Sequence, residues 1–238
     1  MSVGSPVVLS LITGVGAKGQ VGEAVAAALA ARGDTVLLVS RDAKEVEARA
    51  EDLRRTGGRA SAYSCDLSDP AAVDALAARV RVDHGNRLDA LVNLAGGFAS
   101  SGPLAQSDPG VFSRMMQINA TTALLATRAF LPMLKTARGS IVFFASEVVI
   151  DGVRTGGVSA YAASKAAVVA LMRSVADEGR GSGVRANALA PAAIRTASNR
   201  SSMGPEARYV EREDVAAAVA FLCSSDAEAV SGQVIRLQ

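Results

Sequence analysis

At 238 residues, half of them apolar and a fifth charged, the chain is long enough to bury an extensive core and too apolar to be disordered. Its formal charge of +2 comes from scattered arginines, which argues against nucleic acid as a partner, since that leaves a dense basic stripe. No apolar run reaches bilayer length, no basic n-region precedes a cleavage site, and Cys65 and Cys223 stand apart without His or Cys at metal-ligand spacing. The expectation is therefore a cytoplasmic protein with reduced thiols, no metal and no membrane association.

Short apolar runs alternate with longer amphipathic segments. The runs are Val7–Thr13, Thr35–Ser40, Arg59–Asp66, Leu88–Ala95, Ser140–Ser146, Val184–Pro191 and Val230–Leu237. Helical patterns fall between them at 20–32, 42–56, 69–83, 108–136, 159–179 and 212–224. Continuous Val/Ile/Leu runs suit strands buried on both faces, and strict strand–helix alternation predicts an α/β, Rossmann-like, doubly wound parallel sheet of about seven strands with helices on both faces. With no Pro/Gly/Ser-rich linker and no repeat, a single domain spanning 1–238 is expected. In such folds ligands sit beyond the carboxyl ends of the strands, so the residues just after each run are the ones to read for chemistry.

The first of these is Ile12-Thr-Gly-Val-Gly-Ala-Lys-Gly-Gln-Val-Gly22. Read from Gly14, it matches G-x-G-x-x-G literally. Read from its far end, Gln20-Val21-Gly22 opens the helix, because Val21, Val25 and Leu29 share one face. The second register leaves a longer loop in which Gly14, Gly16, Lys18, Gly19, Gln20 and Val21 are candidates to meet a dinucleotide, at a helix N-terminus that favours phosphate. The second run ends Leu38-Val39-Ser40-Arg41-Asp42. Arg41 can pair with a 2′-phosphate, Ser40 is small and polar, and Lys18 adds positive charge, so NADP(H) is expected. Asp42 is the acid that would serve NAD if the turn ran one residue longer. His84, the only histidine, reads as a surface or capping residue.

After the fifth run comes Ser146, and Tyr161-Ala-Ala-Ser-Lys165 opens a long helix. Tyr and Lys at i, i+4 share a face, so the ammonium can lie near the phenol and lower its pKa from about 10. The pair then suits acid–base work on a carbonyl or alcohol oxygen that Ser146 holds while hydride moves. The chain holds only three Tyr and four Lys and already carries a dinucleotide-type loop, which argues against an accidental pairing.

These motifs together resemble the short-chain dehydrogenase/reductase family over essentially the whole chain. The resemblance assigns Cys65-Asp66-Leu67 to the adenine and Asn93-Leu94-Ala95-Gly96 to the N-N-A-G turn that follows the fourth strand. It makes Asn119 a helix residue on the proton route to the lysine, which completes a tetrad with Ser146, Tyr161 and Lys165. It also assigns Pro191, Ile194 and Thr196 to the segment that holds the nicotinamide. The resemblance implies interconversion of a ketone and a secondary alcohol, with a 3-oxoacyl or other small carbonyl substrate. It further implies a homotetramer or dimer built on the helices at 108–136 and 159–179.

Against the family pattern, the glycine loop carries about two extra residues and Leu94 replaces an Asn. Ser146 and Tyr161 are fifteen positions apart, slightly wider than usual, and Ala192 follows Pro191 where Gly is expected. Only 197–211 remains where larger relatives close the site with helices, so a short lid, an open site and local mobility are expected. The chain ends at Gln238 without a Gly-Gly pair, which predicts a reduced C-terminal contact between subunits. Two other functions compete. Enoyl reduction fits the loop, but it usually needs a lysine seven positions past the tyrosine, where this chain has Val168. A dinucleotide-binding sensor or scaffold fits the fold without requiring turnover.

Overall fold

The computed structural model describes residues 8–238. Seven strands form one parallel sheet in the order β3-β2-β1-β4-β5-β6-β7: β1 (Leu9–Thr13), β2 (Thr35–Ser40), β3 (Arg59–Ser64), β4 (Ala90–Asn93), β5 (Ser140–Phe144), β6 (Arg185–Pro191) and β7 (Val234–Leu237). The period of two along each strand divides the core. Leu11, Leu37, Val39, Leu91, Ile141 and Phe143 face one cluster, while Ile12, Val36, Leu38, Val92 and Val142 face the other. Both faces are covered, which is why the strands read as unbroken apolar runs.

One face carries α3 (Pro70–His84), α5 (Thr122–Ala137) and α6 (Ser159–Gly179), which contribute Val80, Phe130, Met133 and Met172. The other carries α1 (Val21–Ala31), α2 (Ala43–Arg55) and α8 (Arg212–Leu222), through Val25, Leu29, Val46, Val215 and Val219. Helix starts follow local chemistry: Asp42, Asp69 and Asp108 each accept a first-turn amide, and the last two are followed by a proline. After β3 the chain crosses to the far side of β1. This opens a switch point between the carboxyl ends of β1 and β4, where Thr13 lies beside Asn93.

Several boundaries differ from expectation. Val7 lies outside the described residues. The third and fourth strands stop at Ser64 and Asn93, short of Asp66 and Ala95, because the chain turns there toward the switch point. The last strand begins at Val234, since Val230–Gly232 are irregular, with a bend at Gly232 whose amide donates to the Ala186 carbonyl. The helix expected over 108–136 is α4 (Pro109–Met115), a π-helical turn over Met116–Thr121, and α5. The wider turn accommodates Asn119, whose buried side chain bonds to partners outside its own helix. The segment 197–211 contains a seven-residue helix, α7 (Ala197–Met203), whose capping residue is Thr196.

Candidate active site

Helix α1 begins at Val21 with Gln20 as its capping position, so Gly14–Gln20 form the loop and the literal G-x-G-x-x-G register is not the one that enters the helix. Gly14 and Val15 both donate to the Val39 carbonyl at the end of β2 (2.8 and 3.1 Å). Gly14 has φ +76°, and a methyl group there would lie 2.6 Å from Ala95 Cα, so only glycine permits this approach to β4. Thr13 Oγ1 accepts from the amides of Leu94 (3.1 Å) and Ala95 (3.2 Å), tying the two strand ends together.

Beside this turn lies a cleft of about 230 Å³ lined by Gly14, Ser40, Arg41, Cys65, Asp66, Leu67, Leu94, Ala95 and Gly96, among others. It gathers the expected residues from the ends of β1, β2, β3 and β4. Asp66 accepts from the hydroxyl and amide of Ser68 (2.7 and 2.9 Å). These bonds, with the field of Arg41, hold its carboxyl below the usual range. Burial pushes the Cys65 thiol up to about 11, so it stays protonated and apolar. Asp42, the residue that left NAD open, is spent on α2: its carboxylate accepts from the amides of Lys44 and Glu45 (2.9 and 3.0 Å). Lys18 is exposed on the loop, and Gly16 lies beside the Glu45 carboxylate. A carboxylate, a guanidinium, a hydroxyl and apolar walls along a glycine turn are the donor set a nicotinamide dinucleotide requires, and the residues present fit it.

The second group of residues converges next to that cleft. Asn119 clamps the Gly97 peptide, with Oδ1 accepting from its amide and Nδ2 donating to its carbonyl, both at 3.0 Å. Nδ2 also donates to Ser164 Oγ at 3.1 Å, and that hydroxyl donates to the Tyr161 carbonyl at 2.7 Å. Gly96 packs against Asn119 so closely that a side chain there would collide with it. Lys165 is buried and donates to the Phe144 carbonyl at the end of β5 (2.8 Å), with its ammonium 5.8 Å from the Tyr161 ring centre. Ser146 is buried in extended backbone just past β5. Asn93 donates to Thr127 Oγ1 at 2.9 Å, leaving its own buried Oδ1 without a partner among the described residues.

The electrostatics correct one expectation. The Tyr161 phenol is raised rather than lowered: burial dominates and the Ser146 hydroxyl only partly offsets it. The lysine is shifted instead, its ammonium pushed down to about 8 by burial.

Pro191 ends β6, Ile194 forms an isolated bridge with Val210, and Thr196 is buried, so the third expected group lies on the strand exit leading to α7. Its carbonyls and hydroxyls are engaged locally: Thr196 Oγ1 accepts from Asn199 N, and Asn199 Nδ2 donates to the Ile194 carbonyl. His84, expected at the surface or a cap, ends α3 and places Nε2 3.0 Å from the Tyr63 hydroxyl, half-buried and away from this site.

Three neighbours escaped the sequence reading. The Phe144 carbonyl holding Lys165 and the Ser164 link carry no residue-type signature. Phe98 is 65 % exposed yet sits edge-on to Tyr161, ring centres 5.1 Å apart at 77°. Its position two residues past Gly96 was the available clue. The loop bearing it is pinned at its other end, where the Ser101 and Gly102 amides donate to the Gly157 carbonyl (2.9 and 3.1 Å). Among the described residues no His/Cys/Asp/Glu group could hold a metal ion, and no helix is long and apolar enough to cross a membrane.

Known proteins resemble this chain in sequence and fold. A family model described as Enoyl-(Acyl carrier protein) reductase matches residues 14–237. The chain is 33% identical to 2-(S)-hydroxypropyl-CoM dehydrogenase 3 of Xanthobacter autotrophicus over 238 residues, covering 93% of this chain and 91% of the relative. It superimposes on a short-chain dehydrogenase/reductase from Burkholderia xenovorans with a TM-score of 0.85 and 32% identity, covering 97% and 94% of the two chains. Two further structures hold nicotinamide dinucleotides. One is an actinorhodin polyketide ketoreductase with NADPH, at TM-score 0.86 and 27% identity over 97% and 95% of the chains. The other is a xylitol dehydrogenase with NAD+, at 0.85 and 25% over 97% of each. With a parallel seven-stranded sheet, the glycine turn at its switch point and a family-model match over residues 14–237, this chain belongs to the short-chain dehydrogenase/reductase family.

Proposed function

We propose that the protein is an NADP(H)-dependent oxidoreductase that interconverts a ketone and a secondary alcohol on a 3-oxoacyl or other small carbonyl substrate. The observation that carries this reading is the convergence of Ser146, Tyr161, Lys165 and Asn119 on one spot beside a cleft with a dinucleotide's donor set. When bound, the dinucleotide supplies or accepts the hydride. Gly14, Gly16, Lys18, Gly19, Gln20 and Val21 would hold its phosphates, Asp66 with Cys65 and Leu67 its adenine, and Asn93, Ala95, Gly96, Pro191, Ile194 and Thr196 its inner half.

In reduction, Tyr161 donates its phenolic proton to the substrate oxygen, which Ser146 orients by a hydrogen bond. Lys165 stabilises the phenolate left behind. Its ammonium is held by the Phe144 carbonyl 5.8 Å from the Tyr161 ring centre. Asn119 keeps the Gly97 turn and Ser164 in place around it, where a water chain can return the proton. Arg41 and Ser40 at the cleft favour the 2′-phosphate, and the engagement of Asp42 as a helix cap removes the competing acid.

The family description names enoyl reduction, but the position a second lysine would need is Val168, buried in the core, so the carbonyl reading is preferred. Residues 1–238 are taken as one dinucleotide-binding domain with 197–211 as its short lid, working in the cytoplasm as a homodimer or homotetramer through α5 and α6. The test is to titrate NADPH and NADH and then assay a carbonyl panel with Tyr161→Phe beside the native chain. Tighter NADPH binding and a loss of turnover of about 10²–10⁴-fold in Tyr161→Phe are expected. An NADH preference overturns the reading of Arg41, and NADPH binding without Tyr161-dependent turnover on any substrate favours a sensor.

A further inference from the structure

The glycine loop is held from behind by a carboxylate that the chemistry above does not use. Glu23 lies in the first turn of α1, and its Oε2 accepts the Gly19 amide at 2.8 Å. The same carboxylate meets Arg49 of α2 at 3.3 Å and Arg212 of α8 at 3.4 Å, and all three side chains are at most 30% exposed. Gly19 is also gripped through its other polar group. Its carbonyl accepts from the amide of Ala197, the first residue of α7, at 3.4 Å, and the adjacent Gln20 Oε1 accepts from Ser198 Oγ at 3.3 Å. One residue, Gly19, therefore links the loop to three helices and to the 197–211 segment.

A glycine-rich loop has more conformational freedom to lose on binding than any other segment of the same length. A bond that fixes one of its amides beforehand reduces that loss. A bare carboxylate at the start of α1 would repel an arriving phosphate, but here two guanidinium groups balance it.

Resting on the dinucleotide reading, we infer that Glu23 is a positioning residue for the cofactor: it holds the Gly19 amide and thereby keeps loop 14–20 and the start of α7 in their binding arrangement. The opposite possibility is that Glu23 occupies an amide the cofactor needs and competes with it. The two differ in sign.

The experiment measures dissociation constants for NADPH and NADH by nicotinamide fluorescence in the full chain, for the native protein, Glu23→Ala and Glu23→Gln, with thermal midpoints alongside. Both variants lose the ion pairs to Arg49 and Arg212, but only glutamine retains an oxygen for Gly19. Binding about tenfold weaker in Glu23→Ala, restored to within about threefold in Glu23→Gln, is the expected result. Under turnover the alanine variant should raise KM for the cofactor by a similar factor while kcat changes less. Unchanged or tighter binding in Glu23→Ala overturns the inference, as does a glutamine variant as weak as alanine, which would assign the effect to the ion pairs. A native chain that binds neither dinucleotide overturns the functional reading and this inference with it. Native binding with an indifferent Glu23→Ala overturns the inference alone.

Discussion

Lys165 shows what burying a charge for chemistry costs a fold. Its ammonium makes one bond to the Phe144 carbonyl, and burial alone drives its shift from 10.5 to about 8. Below pH 8 the lysine is charged in both the folded and unfolded chain, and the full burial penalty applies, of order 3 kcal/mol for a shift of that size. Between pH 8 and 10.5 the unfolded chain binds more protons, so this penalty falls as pH rises. Lys165→Met should therefore match or exceed the native chain in urea unfolding at pH 7, by about 1–3 kcal/mol, with an advantage that shrinks toward pH 10 and with turnover lost. A variant less stable than native at pH 7 would contradict this account. Phe98 is a second residue whose setting looks functional, a large exposed ring fixed against Tyr161 by a loop pinned at both ends. Phe98→Ala should raise KM for apolar ketones about tenfold and leave small polar ones nearly unchanged, as read from steady-state kinetics on paired substrates.

At the level of elements, the switch point depends on one hydroxyl. Thr13 Oγ1 accepts two amides of the β4 exit and donates to the Val92 carbonyl at 3.3 Å. Thr13→Val keeps the shape but strands the Ala95 amide, while Leu94 keeps its bond to the Val92 carbonyl (3.1 Å), and should lower unfolding free energy by about 1–2 kcal/mol while weakening dinucleotide binding. Denaturant midpoints and cofactor titration would show both effects. The strands and most helices are legible in the sequence because burial on two faces imposes runs and burial on one imposes a 3.6-residue period. The π-turn was not. Met116-Gln-Ile-Asn-Ala-Thr121 is compatible with an ordinary helix, and its distortion comes with the bonds Asn119 makes to Gly97 and Ser164, residues 22 and 45 positions away.

For the whole molecule, the proposed assembly through α5 and α6 places Leu124, 47% exposed on α5, at a contact between copies. Light scattering after size exclusion should give a mass two or four times 24.2 kDa, with Leu124→Glu shifted toward the monomer. A native chain that elutes as a monomer would remove that assembly.

The sequence by itself determined the layered α/β architecture, the helix entry at Gln20-Val21-Gly22 and the spacing that puts Tyr161 and Lys165 on one helix face. These follow from local periodicity and from the steric needs of glycine, which adjacent residues express directly. Tertiary structure alone decided that Asp42 is a cap, that burial raises the Tyr161 phenol while lowering the Lys165 ammonium, and that Glu23 holds Gly19. Each of these depends on where a side chain lies relative to water and to particular partner atoms, which residue type and spacing leave open until the chain is packed.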